Sequence, residues 1–90
     1  SEFQEMLKMI PSSAKTVIFR LSRMQYMDQT GLYVMEDALK DLRAKGINVV
    51  FVGLLDQPRY MMERIDIIPG LVAESDVYDN FKIYLKQLAQ

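Results

Sequence analysis

Residues 16–32 read Thr-Val-Ile-Phe-Arg-Leu-Ser-Arg-Met-Gln-Tyr-Met-Asp-Gln-Thr-Gly-Leu. The first six are β-branched or apolar except Arg20, which predicts a strand. From Leu32 onward the period changes. Leu32, Met35, Leu39 and Leu42 recur at three- and four-residue steps, the spacing of one helix face. Val34 and Ala38 widen that stripe. Glu36, Asp37, Lys40, Asp41 and Lys45 take the other face, with Glu36–Lys40 and Asp41–Lys45 as favourable i, i+4 pairs. Residues 22–28 connect strand to helix and carry an apolar centre at Tyr26-Met27. An Asp and a Thr just ahead of a helix can cap it. The same place can hold an anion, or become one by phosphorylation.

Downstream the alternation continues. Gly46 stands where a helix C-terminus wants a left-handed residue. Residues 47–53, Ile-Asn-Val-Val-Phe-Val-Gly, form a nearly continuous apolar run, as in a parallel strand covered on both faces. A loop at residues 54–57 follows, with Asp56 as the expected N-cap and Pro58 in the first turn of a helix carrying Met61, Met62 and Ile65. Residues 67–70 break it, Leu71-Val72 read as a short last strand, and Ser75 or Asp76 should cap a final helix with the stripe Val77, Phe81, Tyr84, Leu85 and Leu88. Upstream, Phe3, Met6, Leu7 and Ile10 mark a short helix that Pro11 ends. The order α-β-α-β-α-β-α predicts one small α/β domain, residues 1–90, with a mainly parallel sheet flanked by helices. Three short strands make a small sheet, so one or two further strands are expected ahead of Ser1.

The composition narrows the function classes. The 90 residues hold 11 basic and 12 acidic side chains, a net charge of −1. The basic residues are scattered, which speaks against nucleic-acid binding. Without Cys there is no disulfide framework. Without His as well, Ser-His-Asp triads, Cys-His dyads and most zinc sites fall away. The carboxylates form no obvious acid/base pair and no glycine-rich phosphate loop is present, so neither an enzyme nor a metal or cofactor site is expected. No apolar run approaches the roughly 18–20 residues of a membrane span, and the N-terminal residues show no signal peptide. The chain reads as a cytoplasmic domain, alone or as part of a membrane protein.

The run Val17-Ile18-Phe19-Arg20-Leu21-Ser22, the Tyr26-Met27-Asp28-Gln29-Thr30-Gly31-Leu32 junction, the amphipathic helix, the Gly46-Ile47-Asn48-Val49-Val50-Phe51-Val52-Gly53 strand and the helix after Pro58 together resemble a STAS domain. Such domains are the anti-sigma-factor antagonists and the cytoplasmic C-terminal domains of SulP-type anion transporters. The resemblance spans residues 3–88 in order and spacing. Asp28-Gln29-Thr30-Gly31 matches the family's Asp-Ser-Ser/Thr-Gly, with Gln29 in place of the first Ser. The resemblance implies a SpoIIAA-like fold and a non-catalytic regulatory role. It names Thr30, just before the Gly, as the position that is phosphorylated in the antagonists. The stretch Val77-Tyr78-Asp79-Asn80-Phe81 is more similar to the SulP branch.

The expected docking surface comprises Met27, Asp28, Gln29, Thr30, Gly31 and Tyr33, with Leu54, Asp56 and Arg59 beside it at the carboxyl end of the parallel strands, where open α/β sheets bind their ligands. Its partner would be the transporter's transmembrane part, another cytoplasmic protein or a second copy of the chain. Helix capping alone also accounts for Asp28 and Thr30, worth about 1 kcal/mol. Arg59 reads as a solvated side chain, with an anion or phosphothreonine contact as the alternative. Most methionines read as core filling. Met61 and Met62 cannot both face inward, so one of them, or Tyr60, should be exposed. Two alternatives stand beside the transporter reading: a free antagonist or stressosome-type protein switched at Thr30, and a module binding a nucleotide or lipid at the strand ends.

Overall fold

The computed structural model describes residues 2–90, with side chains described from Gln4 onward. Phe3 of the expected first helical face therefore lies outside the described side chains. The elements are α1 (Glu2–Lys8), β1 (Thr16–Arg20), α2 (Gln29–Ala44), β2 (Asn48–Val52), α3 (Asp56–Arg64), a 3-10 turn (Glu74–Asp76), β3 (Val77–Tyr78) and α4 (Phe81–Leu88). The three strands lie in the order β1-β2-β3, all parallel. Val17 pairs with Val49, Phe19 with Phe51, and Phe51 in turn with Val77. Because the strands step across the sheet in one direction, right-handed crossovers carry α2 and α3 to the same face.

That face holds the main core. Phe19, Val49 and Phe51 meet Leu32, Met35, Leu39 and Leu42 of α2 and Met62 of α3, with Leu7 and Ile10 at its margin. Phe19 and Phe51 pack edge to face, ring centroids 5.7 Å apart. The alternate residues Ile18, Val50, Val52 and Tyr78 point to the other face, where α4 lays Tyr84 and Phe81 on them. The continuous apolar run of β2 is thus explained by two faces, each roofed. Met62 is buried and Met61 half-buried against the main core, so Tyr60 is the exposed residue of the three. Both expected helix pairs of α2 form, Lys40–Glu36 at 3.8 Å and Lys45–Asp41 at 3.0 Å.

Gly46 ends α2 as expected, with φ +75°. The amide of Ile47 bonds the Leu42 carbonyl and that of Gly46 the Arg43 carbonyl, both at 3.0 Å. This double closure returns the chain directly into β2.

Three expectations are corrected. The last strand is Val77–Tyr78, not Leu71-Val72. The amides of Leu71 and Val72 both bond the Ile67 carbonyl, so their backbone closes a local turn and is not available to a sheet. Val72 is nonetheless buried in the core, which is why its apolar signal resembled a strand. The final helix begins at Phe81, capped by Asn80, whose side-chain oxygen accepts from the Ile83 amide at 2.9 Å. Ser75 and Asp76 lie in the 3-10 turn instead. Val77 and Phe81 are four apart, which imitates a helical stripe across a strand-to-helix break. The N-cap position of α3 is Leu55, with no side-chain cap, and Asp56 is the first helical residue.

Candidate docking surface

The carboxyl ends of β1 and β2 deliver two connections to the same side of the molecule. The first, residues 22–28, carries no regular structure and ends at Asp28. Asp28 is the N-cap of α2, extended at φ −86° and ψ 177°, and its Oδ1 accepts from the Gly31 amide at 2.7 Å. Its own carbonyl accepts from the Leu32 amide at 2.9 Å. A Cβ on Gly31 would stand 3.2 Å from that capping oxygen and 3.7 Å from Met27 Cγ, so close approach fits the glycine here.

The capping role accounts for Asp28 but leaves Thr30 without a task. Thr30 is the second residue of α2, exposed, and its hydroxyl has no partner among the described residues. Gln29 donates from Nε2 to the Tyr33 hydroxyl at 2.9 Å, one helical turn on. This bond holds both polar side chains against the exposed face of the first turn. Met27, expected on the surface, is 4% exposed and belongs to the core beneath it.

The second connection enters α3. Leu54 is half-buried and packs on the main core, and Asp56 is exposed. Arg59 is held by two carboxylates, Glu74 at 3.1 Å and Glu63 at 3.8 Å. Its charge ties α3 to the 3-10 turn rather than standing bare. Arg20, at the end of β1, stacks its guanidinium 4.4 Å over the Phe81 ring.

The two connections are joined by Gln57, the second residue of α3. Gln57 accepts the Met27 amide on Oε1 at 2.7 Å and donates from Nε2 to the Met27 carbonyl at 3.0 Å. The partners are 30 positions apart, and no periodicity or short motif encodes such a pair. Beside this clamp lies an open groove of about 380 Å³, lined by Leu21, Met24, Tyr26, Met27, Val34 and Met35, with Asp28, Thr30 and Gly31 also lining it. Its lining is mostly apolar, and Tyr26 is 71% exposed. Among the described residues no cluster of three or more Asp, Glu, His or Cys is placed to hold a metal.

A small parallel sheet roofed by helices, with a capped strand-to-helix junction at its carboxyl edge, defines a small α/β domain. A family model described as STAS domain matches residues 1–82, and the chain belongs to the STAS family. Two solved structures share the fold. The STAS domain of a SulP transporter from Vibrio cholerae is 24% identical, with 99% of this chain and 73% of that chain covered and a TM-score of 0.74. A sulfate transporter family protein from Wolinella succinogenes is 23% identical, with 98% and 74% covered and a TM-score of 0.79. No curated protein matches the chain. Among the described residues no helix is long and apolar enough to cross a membrane.

Proposed function

We propose that the chain is the cytoplasmic STAS domain of a SulP-type anion transporter, a regulatory docking module that performs no chemistry itself. The observation that carries this reading is the end-to-end structural match, 99% of the chain, to the STAS domain of a SulP transporter. The face offered to the partner runs from Asp28 to Tyr33 and onto the groove beside Tyr26, with Leu54 and Asp56 at its border. It combines exposed apolar area with the polar groups of Gln29, Thr30 and Tyr33, a mixture usual at protein interfaces. The partner is the membrane part of the same transporter, and docking there alters assembly or transport rate. In the complete reading frame, ten or more hydrophobic spans should precede this domain; a frame without them overturns the reading. In cells, Tyr26→Asp should change anion uptake without loss of the protein from the membrane. Unchanged uptake removes this face as the docking surface.

A second reading is favoured by Thr30, whose free hydroxyl sits in the first turn of α2. Phosphate there would add about −1.5 to −2 charges where the helix dipole tolerates them. In this reading the chain is an antagonist-type switch. Incubation with a cognate kinase and ATP should then add one phosphate, absent in Thr30→Ala. A wild-type chain that stays unmodified returns the choice to the transporter reading.

A further inference from the structure

We propose that Gln57 is a positioning residue, whose side-chain amide sets the conformation of the segment that presents Asp28, Gln29 and Thr30. The proposal rests on the docking reading only for its functional consequence. Residues 22–28 have no strand or helix of their own, yet Met27 is buried there, and its backbone needs both a donor and an acceptor. Gln57 supplies both from one amide group, at 2.7 and 3.0 Å. It does what the edge of a neighbouring strand would do. Among the described residues nothing else bonds the Met27 amide or carbonyl. Gln57 is in the first turn of α3, followed by the buried Pro58, so its own position is set by the core. The α3 start thereby fixes the residue that precedes the α2 cap, and displacement of either connection is transmitted to the other.

The chemistry demanded is narrow. One flat group must donate and accept side by side, which an amide does and a carboxylate does not. A protonated carboxylic acid can do it again. Hydrogen–deuterium exchange on the full chain, read by mass spectrometry, tests this with Gln57→Glu and Gln57→Met. Near neutral pH both variants should speed exchange at residues 22–31 by about tenfold, with β2 exchanging as in the wild type. On moving to about pH 5 the gap to wild type should narrow for Gln57→Glu, whose carboxyl begins to regain its proton, and not for Gln57→Met. Wild-type exchange at residues 22–31, an equal acceleration in β2, or no difference between the variants with pH overturns the proposal. If exchange changes as expected while anion uptake by the complete protein does not, the clamp stands and the docking reading of this face fails.

Discussion

At Asp28 and Thr30, two neighbouring polar residues divide their labour. Asp28 holds the Gly31 amide at 2.7 Å, while the Thr30 hydroxyl holds nothing among the described residues. Removing the first should cost stability, and removing the second should not. Asp28→Ala is expected to destabilise by about 1 kcal/mol, a fall in Tm of about 4–8 °C for a domain of this size. Asp28→Asn should recover most of it, since the amide oxygen can still accept. Thr30→Ala should stay within about 0.5 kcal/mol of wild type. Thermal denaturation of the three variants checks both expectations. A Thr30 loss equal to that of Asp28 would make Thr30 a structural residue and weaken both functional readings. The cap was legible from residue type and spacing. The idleness of Thr30 was not, because either hydroxyl or carboxylate can cap, and only the backbone angles select which.

Among the elements, α4 is the one whose sequence signal and structure differ most. Its stripe Phe81, Tyr84, Leu85 and Leu88 is helical in spacing, but only Tyr84 is buried, with Leu85 47% and Leu88 62% exposed. An eight-residue helix is too short to persist by itself. Its attachment rests on Tyr84 against Val50 and Val52, on the Tyr84–Tyr78 ring contact at 5.1 Å, and on the Asn80 cap. Tyr84→Ala should therefore cost about 3 kcal/mol or more and release α4 before the rest unfolds. Urea denaturation gives the first quantity. Exchange at residues 81–88, faster than in β2, gives the second. The third strand was misplaced for a related reason. Strand identity here comes from pairing, Phe51 with Val77 and Val52 with Tyr78, and two residues carry too little periodicity to announce it. Leu71-Val72 had the stronger apolar signal but had already committed its amides to Ile67.

For the whole molecule, β2 is the central strand on which both apolar clusters rest. Its residues face both clusters, and Phe51 has no exposed surface. Phe51→Ala should cost about 3–5 kcal/mol, a large share of the roughly 5–15 kcal/mol that holds a small domain together. Loss of the cooperative urea transition, or its shift to much lower denaturant, is the expected result. What the amino-acid sequence determined by itself was the alternation of strand and helix, the parallel sheet, the α2 cap, the Gly46 exit and the absence of His and Cys chemistry. These follow from nearest-neighbour backbone preferences and from burial periodicity, both of which are local. Only the tertiary structure decided that Gln57 grips Met27, that Arg59 is taken up by Glu74, that Met27 lies beneath the surface and that Val77–Tyr78 is the third strand. Each depends on which distant groups meet once the sheet has formed, and a hydrogen bond or ion pair across 15 to 30 positions leaves no trace in the residues adjoining either partner.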